Sequence, residues 1–219
     1  MHRHDRIGAG PRATKRAGCR FSSGAGPRAT SRATKRAGYR FSSGAGPERP
    51  ALASPAVTTT LSMDLELNPL DGRARPLGQW LTTFPLATVV LDPYTHESSW
   101  ILDTALRILA GFRGADVRVS FVVTGTDPEG ALRFLGPLTD EILAFTDPDR
   151  SLVEALGLVA LPAFVVVRQD GWVVGTAEGW DPVAWRDLAD DLAVLTNWSR
   201  PEVPAVDDPA PYAGTSPLG

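Results

Sequence analysis

The stretch DPDRSLVEALGLVALPAFVVVRQDGWVV, Asp147 to Val174, decides how this chain folds. Asp147-Pro148 opens a capped helix, and Gly157 stops it. Phe164 to Val167 is apolar and rich in β-branched residues, the composition of a strand. Asp170-Gly171 is a hairpin turn signal, and Trp172 to Thr176 reads as the returning strand. The segment therefore predicts helix, loop, strand, tight turn and strand, with Leu161-Pro162-Ala163 as the step into the first strand.

The same pattern continues on both sides. Upstream, Ala87 to Leu91 is a short continuous apolar run, as a strand buried on both faces requires. Ile101, Ala105, Ile108 and Phe112 recur at helical spacing, widened by Leu102, Leu106 and Leu109, and Gly111 and Gly114 end that helix. Val117 to Thr124 is a second strand. Asp127-Pro128 then gives an N-cap and a proline at the first helical position, and this helix stops at Gly136-Pro137. Ile142 to Phe145 is a brief third strand. Downstream, Asp181-Pro182 caps a last helix with Trp185, Leu188, Leu192 and Leu195 on one stripe. The order is β α β α β α β β α. Helices joining the early strands imply parallel neighbours, and the last pair is an antiparallel hairpin.

This order, with the Leu-Pro-Ala step before the hairpin, resembles the thioredoxin-like superfamily, in particular its redoxin branch of peroxiredoxins and TlpA-type proteins. The resemblance covers roughly residues 85–196. It implies an α/β, three-layer thioredoxin-like fold with a central mixed sheet, parallel early strands and a C-terminal antiparallel hairpin. It also implies that the proline before the hairpin, Pro162, is cis. The family's CxxC lies at the start of the first core helix and maps onto Thr95-His96-Glu97-Ser98, so hydroxyls stand at both cysteine positions. The family's buried acid falls on Val89, a second departure.

A cysteine works at that position because a helix N-terminus stabilises a thiolate from a free pKa of about 8.5. A hydroxyl starts far higher, and oxygen cannot make or break the sulfur–sulfur bond of disulfide exchange. Dithiol chemistry within the domain is thereby excluded. Thr95 at the N-cap with Glu97 in the first turn is expected to serve as a helix cap. His96 is the domain's single histidine, and with no cysteine beside it a zinc site would need three carboxylates. No metal and no cofactor is expected. The expected function is a redox-inactive binding or scaffold module with a protein or peptide partner. Its candidate surface is Thr95, His96, Glu97, Ser98, Trp100, Leu161, Pro162 and Trp180, because in active relatives the backbone beside the cis-proline pairs with an extended peptide. The alternative is a thiol-binding enzyme, similar to glutathione transferases, using Ser98 or Thr95 at the helix start.

Charge divides the chain. Residues 1–50 carry twelve Lys or Arg against two acidic residues, and residues 51–219 carry ten Arg against twenty-three. The first part repeats RATKRAGCRFSSGAGP, Arg12 to Pro27, as RATKRAGYRFSSGAGP, Arg32 to Pro47, changing only Cys19 to Tyr39. With few apolar side chains, residues 1–62 are expected to be a disordered basic tail, and Met63 to be the true start of translation. The rival reading is a basic arm that binds nucleic acid. A domain is expected over residues 77–198, followed by a disordered acidic, Pro-rich tail over 199–219. No apolar run approaches the ~20 residues that cross a bilayer. A lone cysteine excludes an internal disulfide, so the expected compartment is the cytoplasm.

Overall fold

The computed structural model describes residues 59–217. The chain divides into Met1–Pro50 and Ala51–Gly219. All described residues belong to the second unit, and the basic repeat with Cys19 lies outside them.

Seven strands form one mixed sheet: β1 (Glu66–Pro69), β2 (Arg75–Pro76), β3 (Leu86–Leu91), β4 (Arg118–Thr124), β5 (Leu143–Asp147), β6 (Ala163–Val167) and β7 (Val173–Glu178). Their order is β2-β1-β5-β4-β3-β6-β7. β3, β4 and β5 are parallel neighbours, whereas β6 runs antiparallel to β3, and β7 to β6. The helices are α1 (Leu77–Trp80), α2 (His96–Trp100), α3 (Leu102–Ala110), α4 (Pro128–Leu135), α5 (Ser151–Leu156) and α6 (Pro182–Thr196). None is long and apolar enough to cross a membrane.

The apolar run of β3, interrupted by Thr88, whose hydroxyl donates to Ser120 O, follows from its place at the centre. Alternate side chains of a strand face opposite sides of a sheet. Ala87, Val89 and Leu91 join Ile108, Leu109, Trp185 and Leu192 in one core, under α3 and α6. Leu86 and Val90 join Leu77, Phe145, Leu152 and Val153 in the other, under α1 and α5. Two helical layers around one sheet give the three-layer α/β architecture expected from the sequence.

Four boundaries differ from the expectation. The domain begins before Leu77: β1 pairs with β5, and Leu61, 3% exposed, donates its N–H to Gly171 O at 2.9 Å. Thr59 O accepts from Val173 N at 3.0 Å, so a chain starting at Met63 would lack the whole of this pairing. The first core helix is two helices, with Ile101 (φ −87°, ψ −10°) at the break; Ile101 stays in the core while Trp100 lies at the surface. On α6 the buried face is Trp185, Leu188, Ala189, Leu192 and Ala193, and Leu195 points outward.

The fourth difference is the largest. The segment from Ser199, expected to be a disordered tail, lies across the domain as a strap. Val203 is buried. The Asp208 carboxylate, 4% exposed, receives both Arg107 Nη2 contacts at 2.7 and 2.8 Å, the Thr104 hydroxyl at 2.8 Å and the Ala205 N–H at 2.6 Å. A carboxylate so buried must find charged and hydrogen-bonding partners, and α3 supplies two of them. This clamp fixes the strap on α3.

Arg107→Ala leaves that carboxylate without its cation and is expected to lower unfolding free energy by about 2 kcal/mol. Urea denaturation measures it, with Arg186→Ala, whose pair with Asp187 is exposed, as the near-neutral control.

Candidate functional site

β3 ends at Leu91, and Asp92-Pro93 turns the chain toward α2. The Asp92 carboxylate makes the turn in two ways: Oδ1 accepts from Tyr94 N at 2.9 Å, and Oδ2 pairs with Arg150 Nη1 at 3.2 Å. Asp-Pro is a strong turn opener, because the aspartate bonds its own backbone two residues on.

Beyond it Thr95 and Ser98, the two hydroxyls expected at the ends of the CxxC-like turn, face each other at 3.0 Å between oxygens. Asp92 N–H donates to Ser98 Oγ at 2.9 Å, and Thr95 Oγ1 lies 3.1 Å from Asp92 O. Each hydroxyl has one proton. If Thr95 donates to the Asp92 carbonyl, the Ser98 proton falls on Thr95, and the three groups close a ring with every donor used. Thr95 does occupy the N-cap position of α2, but its side chain makes no cap hydrogen bond, because its hydroxyl is committed to this ring. Ser98 is fully buried. The Ser98 hydroxyl is thus turned into the fold, where its oxygen accepts from the Asp92 N–H.

The other expected site residues fall into two groups, and the strap joins them. His96 stacks on Trp100 (6.2 Å, 16°), which is 58% exposed. Trp100 meets Tyr212 edge to face at 5.8 Å, and the Tyr212 hydroxyl donates to Glu97 O at 2.7 Å. On the other side, Leu161 and Pro162 are buried and joined by a cis peptide bond. Leu161 N–H donates to Thr215 O at 2.8 Å, and Thr215 N–H returns to Leu161 O at 2.9 Å. Trp180 and Tyr212 exchange a second such pair, at 2.8 and 3.0 Å, and Trp180 Nε1 donates to Pro209 O at 2.8 Å. Trp180 is wholly buried rather than lining an open groove.

The strap therefore fills the space expected to receive a partner. Gly179 and Gly214 permit the approach: both have positive φ (65° and 81°), and a Cβ on Gly214 would stand 2.6 Å from Leu161 O. Tyr212, Thr215, Pro209 and Asp208 were not among the residues singled out from sequence. Among the described residues there is no cysteine, so the site has no thiol of its own.

Burial raises the Tyr212 phenol above its ordinary value, with the Glu97 charge adding to it. A phenol raised in the docked state favours docking while neutral. Docking is complete below the ordinary value of about 10 and weakens as pH rises through the docked value. The difference in absorbance near 295 nm between the full chain and Tyr212→Phe should thus show no phenolate step at the ordinary pH. Separately, Ser98→Ala orphans the buried Asp92 N–H, and about 1–3 kcal/mol of stability is expected to go with it. Thermal unfolding reads that loss.

No family model matches the chain, and no curated protein matches it. Solved structures do. DsbF of Mycobacterium tuberculosis, in mixed oxidized and reduced forms, is 17% identical with a TM-score of 0.51, covering 61% of this chain and 96% of that one. The thioredoxin domain of a Bacteroides vulgatus thiol-disulfide oxidoreductase is 14% identical with a TM-score of 0.50, covering 64% and 99%. A cysteine-to-serine mutant of Xanthomonas campestris peroxiredoxin Q is 15% identical with a TM-score of 0.51, covering 64% and 96%. Identities this low establish architecture alone: the chain carries a thioredoxin-like fold.

Proposed function

We propose that this chain is a redox-inactive thioredoxin-fold module that binds an extended peptide segment of a partner protein in the groove between the Thr95–Ser98 turn and the Leu161-Pro162 loop. One observation carries the reading: both main-chain groups of Leu161 pair with an extended segment, through Thr215. Main-chain pairing of this kind adds a strand to an exposed edge and requires no reactive side chain. It therefore survives replacement of sulfur by oxygen, whereas electron transfer does not. The aromatic ridge of His96 and Trp100 beside the groove supplies side-chain contact, since aromatic residues give large contact area at low entropic cost.

The expected outcome is that the full chain carrying Cys19→Ser neither reduces insulin nor consumes peroxide above the blank. Using the full chain keeps the strands that pair at Thr59 and Leu61, and the substitution removes the single thiol. Turnover in either assay contradicts the reading.

A further inference from the structure

The segment in the groove shows what the groove recognises. Tyr212 and Thr215 lie three residues apart and pair with opposite walls, at Trp180 and Leu161. Between them Gly214 passes so close to Leu161 O that a side chain there meets backbone. Three residues before the tyrosine, the Pro209 carbonyl takes the Trp180 indole proton. The tyrosine itself is read twice, by the Glu97 carbonyl and by the edge of Trp100.

The strap also has two unlike halves. Up to Asp208 it is clamped by the buried ion pair with Arg107 and by Val203 in the core. Beyond Asp208, Ala210, Pro211, Ala213 and Ser216 are exposed, and the segment is held by main-chain pairing, by the Tyr212 ring and phenol and by the buried Pro217. Segments with few buried apolar contacts sit at the low end of local stability.

We infer that residues 209–217 are a tethered internal ligand, and that the partner that displaces them is an extended peptide carrying Tyr-x-Gly, with a free carbonyl three residues before the tyrosine. This rests on the reading of the groove as a peptide site and adds the sequence chemistry of its ligand and the competitor that keeps it closed. The clamp at Asp208 is the pivot: releasing the distal half leaves the anchor in place. A tethered segment acts at an effective concentration of order millimolar, so a free peptide is excluded until the tether is weakened or the peptide binds more tightly.

The probe is a fluorescein-labelled peptide of residues 207–217, measured by anisotropy on the full chain and on Gly214→Val, with chymotryptic cleavage after Tyr212 reporting release of the strap. At φ 81° a β-branched residue is strained as well as too close, so Gly214→Val expels the segment. The expected result is cleavage in the variant alone and peptide binding at least tenfold tighter than to the unaltered chain. A second peptide with phenylalanine in place of the tyrosine should bind more weakly, and equal binding overturns the assigned chemistry. Equal binding of the first peptide to both chains leaves the groove reading standing and overturns the strap as competitor. Absence of binding to a folded, cleavable variant overturns both. Thr215→Pro removes the N–H that Leu161 O accepts and is run in parallel. If neither variant folds with its strap released, the strap is an inseparable part of the fold and the inference is overturned.

Discussion

Two hydrogen bonds at Leu161 organise everything around the groove. Leu161 is fully buried, and the next residue, Pro162, has no N–H to offer. The loop entering β6 thus has few ways to satisfy its own main chain, yet buried backbone groups are almost always paired. Strand β6 is committed to β3 and β7, so the partner must come from elsewhere. Here it is Thr215, delivered by a segment that leaves α6, crosses α3 and returns.

The hydroxyl ring at Thr95 and Ser98 and the strap are two sides of one arrangement. A thiolate at a helix start needs an open approach for its substrate; hydroxyls that satisfy Asp92 and each other need none. With the reactive position turned inward, the surface above it is main chain and aromatic. Tyr212 uses both, donating to Glu97 O and meeting Trp100. The turn holds β3 and α2 together through the Asp92 N–H, Ser98 and Thr95.

The sequence made the middle of the sheet legible because β3, β4 and β6 carry their burial as largely apolar runs, and Asp170-Gly171 marks the turn into β7. It pointed to Thr95 to Ser98, Leu161 and Pro162 through the resemblance in the pattern of helix, step and hairpin, and the structure brings the strap against both places. It did not reveal the strap. Pro, Asp, Gly and Ala without periodicity have the composition of a disordered tail, and a segment bound by its main chain leaves no trace in side-chain spacing. Val203, Val206, Tyr212 and Leu218 interrupt that composition without any periodicity that points to a partner across the sheet. The start of the domain was hidden for a similar reason: Thr59 and Leu61 pair with the hairpin through backbone groups. Thr95 takes the expected N-cap position without the expected cap hydrogen bond, because the rule for helix starts does not know that Asp92 O and Ser98 Oγ stand beside its hydroxyl.

Amide hydrogen exchange at Leu161 and Thr215 in the intact chain bears most directly on the central claim. The two amides should exchange at a common rate, slower than exposed Ala213 and faster than Val89 and Phe121 in the middle of the sheet, as one unit that opens without unfolding the domain. Exchange of Leu161 at the rate of an open loop would contradict docking. Exchange as slow as that of Val89 would show that the strap cannot leave the groove while the domain stays folded.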